Sequence, residues 1–162
     1  MFSEDLQNGR DYEIEFCKIY NNKNSKVMVH NDLKHAVDFN VYYKNELVQT
    51  TELKTDFHLS ENVFVETISN TNKNSVGGPY QAKENYNATY YVCWFPMDKT
   101  DNTFIFKNDE LVKWLDDNKH NYPSSFIKNN GYYTKGRIIP KSVLRELPFT
   151  VVQTFLSSIN NY

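Results

Sequence analysis

Residues 37–54 limit what this 162-residue chain can fold into more than any other stretch. Apolar and polar residues alternate through its first half, a short polar segment follows at 44–46, and a second extended run leads to Lys54. Alternation over runs of this length predicts two antiparallel strands of a hairpin, because one face of each strand packs on a core while the other faces outward. The remaining strands are expected to assemble around this hairpin.

Two acids and an amine are expected to meet at one end of the hairpin. Residues two apart along a strand point to the same face, so Glu52 and Lys54 project together. Asp38 lies near the start of the first strand, diagonally across from the end of the second. Neighbouring carboxylates repel each other, and a divalent cation with a preference for oxygen ligands, such as Mg²⁺, removes the repulsion. A lysine beside such an ion suits phosphoryl transfer, because it can orient the attacking water.

The order of these residues resembles the D…ExK motif of the PD-(D/E)XK nuclease superfamily, with Asp38 as the first acid and Glu52-Leu53-Lys54 as the triplet. The residues that follow, KTD at 54–56 and NVFVE at 62–66, are similar to a run found in small phage-type members. Val37 stands where the family name has proline, and many members lack that proline. The resemblance covers about residues 1–95 of this sequence.

The resemblance implies a restriction-endonuclease-like core and hydrolysis of phosphodiester bonds, most often in DNA, with Mg²⁺ or Mn²⁺ as cofactor. It implies that Asp38, Glu52 and the backbone carbonyl of Leu53 bind the metal ion. Lys54 would position and activate the nucleophilic water. The implied enzyme is an endonuclease or exonuclease, and the sequence leaves open whether its substrate is DNA or RNA, duplex, single strand or junction.

Glu13 lies on the apolar stripe of a helix predicted over residues 3–20. The stripe is otherwise built from Leu6, Phe16, Cys17 and Tyr20. From periodicity alone, Glu13 is either a boundary residue paired with a cation or an acid directed at a site. Family members often supply an acid from the first helix, and the residues DL at 5–6, Gly9 and Glu13 are similar to that pattern. The resemblance therefore implies that Glu13 contributes to a second ion or orients water.

The rest of the chain predicts an α/β domain over residues 1–162, with a mixed central sheet flanked by helices. Strands are expected near 27–30, 62–68, 88–95, 103–107 and 137–139, a helix at 108–118, and a short helix after Pro140. Residues 70–80 and 120–130 are interpreted as loops. Glu66, in the strand at 62–68, could either pair with a nearby cation or contact metal or water.

The net charge of −2 gives no overall basic footprint for nucleic acid, although a local basic groove is compatible with it. The residues named as candidate backbone contacts are Lys73, Gln81 and Lys83, around a glycine-containing loop, and Lys135 and Arg137, in the most basic region. Neither GxGxxG nor GxxxxGK[ST] occurs, so a nucleotide-binding fingerprint is absent from the sequence.

Cys17 and Cys93 are too few and too far apart for a metal-binding or CxxC motif, and they are expected to be free thiols in a reducing compartment. No signal peptide or bilayer-spanning apolar run is evident, so a cytoplasmic protein, for example in a phage-infected host cell, is expected. Partners would be nucleic acid and a second copy in a homodimer. Two alternatives to the nuclease remain: a non-catalytic nucleic-acid- or protein-binding module on the same fold, and a small protein that binds another protein through its tyrosines and phenylalanines.

Overall fold

The computed structural model describes residues 2–23, 27–31 and 37–156, with side chains throughout except those of residues 2–9, 23 and 31. The helices are α1 Phe2–Lys23, α2 Gly78–Glu84, α3 Asn108–Asn118 and α4 Lys141–Arg145. The strands are β1 Met28–Asn31, β2 Phe39–Tyr43, β3 Glu46–Thr55, β4 Asn62–Asn70, β5 Ser75–Val76, β6 Tyr90–Trp94, β7 Thr103–Lys107, β8 Ser124–Lys128, β9 Tyr133–Pro140 and β10 Thr150–Gln153. The side chains of Leu6 and Gly9 lie outside the described part.

The strands form two sheets. A six-stranded mixed sheet has the order β1-β2-β3-β6-β7-β10, and a four-stranded antiparallel sheet has the order β5-β4-β9-β8. Within the larger sheet only β3 and β6 run parallel, which places Glu52 beside Tyr91 and Lys54 beside Cys93. The α/β class and the mixed central sheet with helices are confirmed. None of the described helices combines the length and the apolar composition needed to cross a bilayer.

The larger sheet packs on both of its faces, and this explains why its strands β6 and β7 are mostly apolar and buried. One face meets α1 in a core built around Phe16, Phe39, Trp94 and Phe155. The other face meets the smaller sheet and the helices α2 and α3 in a second core that includes Val63, Tyr91, Cys93, Phe104, Leu111 and Ile139. Strand β3 lies between β2 and β6 in the larger sheet. The neighbouring strands and the two cores therefore fix the position of its end near Glu52.

The hairpin prediction is confirmed, with a tighter turn than expected. Only Lys44 and Asn45 lie between the strands, both with positive φ (50° and 66°), and Glu46 already belongs to β3. Two consecutive residues of positive φ are typical of the two-residue turn whose twist matches that of the flanking strands. Both cysteines are buried and free, as predicted.

Three predictions for residues 62–130 are corrected. The strand predicted at 62–68 belongs to the smaller sheet and not to the hairpin's sheet, because it pairs with β9 about 75 residues further along the chain. Residues 120–130, predicted as a loop, contain β8, an edge strand with an exposed Phe126. The loop predicted at 70–80 contains β5 and the start of α2.

Substitution of Gly78 by alanine is expected to destabilise the fold by about 2–4 kcal/mol. Gly78 has φ +53°, and an added Cβ would lie 2.5 Å from the backbone oxygen of Glu66, which cannot move without disturbing β4. Gly131 is a matched control, since its φ is +83° but an added Cβ would meet nothing within 4 Å. Chemical denaturation of Gly78→Ala and Gly131→Ala measures both, and equal losses would show that the contact with Glu66 contributes nothing.

Candidate functional site

Asp38 lies at the open end of the β2–β3 pair, on the strand side that the sequence predicts. The last paired residues are Phe39 and Thr51, and continuing this register by one residue sets Asp38 opposite Glu52. The amide of Asp38 donates to the carbonyl of Thr51 at 3.1 Å. Its carboxylate atom Oδ2 accepts a hydrogen bond from the Leu53 amide at 2.6 Å. The carboxylate therefore takes the place of the next backbone partner of β3 and is held against that strand.

The Leu53 carbonyl is directed towards the same end of the hairpin. Within a strand, the N–H and C=O of one residue point to the same side, because paired residues exchange both bonds. Since the Leu53 amide reaches Asp38, the Leu53 carbonyl also lies on the Asp38 side of β3. This orientation is compatible with its predicted part in binding a metal ion.

Glu13 of α1 reaches the same place from the other layer. It is partly buried, and its carboxyl group hydrogen-bonds with that of Asp38. Burial raises the pKa of Asp38 to about 7; the Leu53 amide opposes this rise, and the charge and hydrogen bond of Glu13 reinforce it. The Asp38 carboxyl group is therefore harder to ionise than an exposed aspartate, because burial and the nearby charge of Glu13 disfavour its charged form.

Glu52 is the third acid of the group. Its atom Oε2 is buried without a hydrogen-bond partner among the described residues. Burial, and then the charges of Asp38 and Glu13, raise the pKa of Glu52 to about 8. A buried carboxylate oxygen without a donor is unfavourable by about 1–3 kcal/mol, so this atom has capacity for a ligand.

Lys54 projects on the Glu52 side of β3, is exposed, and has no hydrogen-bond partner among the described residues. Across from it lies Glu66 of β4. Burial raises the pKa of Glu66, while the charge of Lys54 and a hydrogen bond from the Gly78 amide act to lower it. Of the two interpretations of Glu66, this arrangement fits the partner of a nearby cation.

A cleft of about 550 Å³ begins at Lys54 and runs between the two sheets. Its wall continues along residues 55–60 and includes Phe64 and Ile138 of the smaller sheet. Phe57 and Leu59 are exposed at its side, and His58 Nδ1 lies 3.0 Å from Asp56 Oδ1. Of the four predicted site residues, Lys54 lines this cleft, and Glu13, Asp38 and Glu52 do not.

The structure brings Glu13, Asp38 and Glu52 together, whereas Lys54, two residues further along β3, interacts with Glu66, and the predicted nucleic-acid contacts are dispersed. Lys83 pairs with Asp109 at 3.0 Å, and Gln81 donates to the Tyr86 hydroxyl at 3.0 Å. Lys73 is exposed at the turn between β4 and β5. Lys135 and Arg137 line a separate cavity with a third cation, Lys119, that the sequence analysis did not single out.

The donor set fits a hard divalent cation in chemistry. Carboxylates and a backbone carbonyl are the ligands that Mg²⁺ and Mn²⁺ accept, and Glu52 Oε2 is a buried oxygen that lacks a donor. Within the described residues, no group of three or more His, Cys, Asp or Glu side chains is already arranged to hold a metal ion. Because the pKa values of Asp38 and Glu52 are raised to about 7 and about 8, a cation bound near neutral pH would displace protons from these two groups.

A comparison of the chain with protein-family models, with curated proteins and with solved structures found no match in any of the three. Interpretation of the site therefore depends on its own geometry and chemistry.

Proposed function

We propose that the chain is a metal-dependent nuclease that hydrolyses phosphodiester bonds, with DNA as the expected substrate, at the site formed by Asp38, Glu52, Lys54 and Glu13. The observation that carries this proposal is the proximity of Glu13 on α1, Asp38 just before β2 and Glu52 on β3, with one Glu52 oxygen buried and without a donor among the described residues. Burial raises the pKa of Asp38 and Glu52, and neighbouring buried carboxyl groups with raised pKa values are typical of sites that bind a cation.

The arrangement of elements also supports a restriction-endonuclease-like core. A helix packs on one face of a mixed sheet whose central hairpin carries Asp38 and Glu52 at its open end, and β6 extends that sheet in parallel with β3. The site lies at one end of the central hairpin, where the resemblance to PD-(D/E)XK nucleases places it.

Asp38, Glu52 and the Leu53 carbonyl would hold one Mg²⁺ or Mn²⁺ ion, and Glu13 would contribute to a second ion or orient water. The bound ion would supply Lewis-acid stabilisation of the scissile phosphate and acidify the attacking water. Lys54, at the mouth of the cleft, would donate a hydrogen bond to this water and offset the charge that develops on the phosphate. Glu66 would keep the Lys54 amine directed towards the site by charge attraction.

A panel of labelled DNA and RNA oligonucleotides tests the proposal. Single-stranded, duplex and branched forms are incubated with the protein in Mg²⁺, in Mn²⁺ and in a chelator, and the products are separated by length. The proposal predicts cleavage of at least one form, only when a divalent ion is present. Cleavage of no form, together with an absence of divalent-ion binding, would favour a non-catalytic binding module.

A further inference from the structure

The second cavity of interest lies on the smaller sheet, away from the acids. It measures about 240 Å³ and is lined by Thr67, Ile68, Val76, Tyr80, Lys119, Lys135 and Arg137. Lys135 and Arg137 flank Gly136 on β9, and Gly136 pairs with Glu66 on β4. Because side chains alternate along a strand, the two cations point to the face of the sheet opposite Glu66, so the cavity is separate from the cleft at Lys54.

Three cations line this cavity; Lys135 and Arg137 contact neutral groups, while Lys119 contacts both the Tyr80 hydroxyl and the Asp116 carboxylate. Lys119 Nζ lies 3.1 Å from the Tyr80 hydroxyl. Arg137 Nη1 donates to the Tyr122 carbonyl at 2.9 Å, which leaves the rest of its guanidinium fork available. Lys135 Nζ lies 5.7 Å from the centre of the Phe126 ring. The cations are therefore positioned by the fold and not merely scattered over the surface.

Negative charge is scarce around these cations. Asp116 pairs with Lys119 at 3.1 Å, but no carboxylate in the described part of the chain forms an ion pair with Lys135 or Arg137. Like charges in one small cavity repel, and a bound anion would remove this repulsion. Arginine and lysine together suit phosphate, because the guanidinium fork binds two of its oxygens and the ammonium supplies a point charge.

The wall of the cavity has little capacity to read a base. The Thr67 hydroxyl donates to the Lys135 carbonyl at 3.2 Å, and the Tyr80 hydroxyl donates to Asp116 at 2.9 Å. The other lining residues, Ile68 and Val76, are apolar. Recognition here would therefore depend on charge, as it does where proteins contact the sugar–phosphate backbone and carry no sequence preference.

We propose that this cavity is an anchor for one backbone phosphate of a nucleic acid, held by Lys135 and Arg137 with support from Lys119. The proposal rests on the proposed function for the identity of the ligand. It adds a second contact point, in a cavity that shares no lining residue with the cleft at Lys54, which would hold the substrate independently of the metal ion.

Fluorescence anisotropy of labelled oligonucleotides in a chelator tests the anchor without cleavage. The double variant Lys135→Gln/Arg137→Gln is expected to bind about tenfold or more weakly than wild type, and the dependence of log K on log salt concentration is expected to fall by about 1–2 units. Lys113→Gln, which removes one exposed charge from α3 outside the cavity, should change affinity by less than about twofold. Unchanged affinity and salt dependence in the double variant, or no binding by wild type, would overturn the proposal.

Two further measurements keep the outcome clear. Arg137→Lys keeps the charge but loses the guanidinium fork, so its affinity should lie between those of wild type and Arg137→Gln. Thermal unfolding identifies any variant that fails to fold, and Lys135→Gln alone is then used. Inorganic phosphate is included as a competitor: if it binds while oligonucleotides do not, the anchor for nucleic acid is refuted. Oligonucleotide binding through this cavity without cleavage in any metal would refute the nuclease and leave the anchor standing. Metal-dependent cleavage, together with unchanged oligonucleotide affinity in the double variant, would support the nuclease and refute the anchor.

Discussion

Replacement of Lys54 by alanine is expected to reduce the rate of metal-dependent cleavage by about 10²–10⁴-fold. Lys54 projects with Glu52 from β3 and stands at the mouth of the cleft, where its amine can reach water or phosphate. The free energy of unfolding should fall by no more than about 1 kcal/mol, because the Lys54 side chain is exposed and its described interaction is the charge attraction to Glu66. Initial cleavage rates and chemical denaturation of the same preparations measure the two effects.

Lys107→Ala provides the control for this experiment. Lys107 is an exposed cation at the end of β7 in the same sheet, so its removal changes the net charge equally but should leave the cleavage rate within about twofold of wild type. Full activity of Lys54→Ala would remove Lys54 from the mechanism. A loss of activity accompanied by a large loss of stability would instead assign it a structural role.

The second large effect is a gain of stability that is accompanied by loss of activity. Without metal, the double variant Asp38→Asn/Glu52→Gln is expected to be more stable than wild type at pH 8.5 by on the order of 2–4 kcal/mol. The reason is that burial and mutual repulsion raise the pKa of Asp38 to about 7 and that of Glu52 to about 8. The neutral amides remove the charges that the folded state accommodates poorly. Cleavage should fall by at least about 10²-fold, since the metal ligands are lost.

The sign of the pH dependence follows from proton binding. In the folded protein these two acids hold their protons up to about pH 7 and 8, whereas in the unfolded chain they release them near pH 4. Their stabilising contribution is therefore complete below about pH 4 and is lost as the pH rises through the folded-state pKa values. In a chelator, wild type should become less stable between pH 5 and pH 8.5, and the double variant should show a much weaker decline.

Glu46→Gln is the matched control for the double variant, because Glu46 lies exposed at the start of the same strand. It should follow the wild-type stability curve at every pH. Denaturant titrations at pH 5 and pH 8.5 in a chelator make the comparison. Equal pH dependence in wild type and the double variant would show that Asp38 and Glu52 are ionised without penalty and that the site is more open than described.

The parts of the fold that the sequence predicts are those determined by neighbouring residues. Alternation alone indicates the β2–β3 hairpin, and continuous apolar residues indicate β6 and β7, because these signals reside within a few residues of chain. The helix α3 begins at Asn108 as predicted, but the Asn108 side chain does not cap it. Instead its Nδ2 donates to the carbonyls of Pro79 and Ala88 at 3.1 and 3.4 Å, a contact set by tertiary packing.

The smaller sheet could not be predicted in the same way. Its main pair, β4 and β9, joins residues such as Val63 and Ile139, and pairing at such separation leaves no local signal. Its edge strand β8 is largely exposed, with Phe126 and Ile127 directed outward, so it lacks the alternation that marks a half-buried strand. Strand β10, which pairs with β7 in the larger sheet, was also not predicted, because its residues do not alternate between buried and exposed positions.

The same division explains the site. Asp38, Glu52 and Lys54 lie within one hairpin, so strand geometry was sufficient to place them together. Glu13 needed the resemblance as well, since periodicity left its role open, and the structure brings it to Asp38 from α1. Lys119, the third cation of the 240 Å³ cavity on the smaller sheet, lies in the turn after α3. No sequence pattern connects it with Lys135 and Arg137.

Calorimetric titration of Mn²⁺ near pH 7, in buffers of different ionisation enthalpy, tests most directly whether these acids share a cation. If they do, wild type and Glu46→Gln bind Mn²⁺ saturably and release roughly one to two protons, because the ion displaces protons held by Asp38 and Glu52. Asp38→Asn and Glu52→Gln each lose most of this binding. Equal binding by all four proteins, or no binding by wild type, would contradict the account.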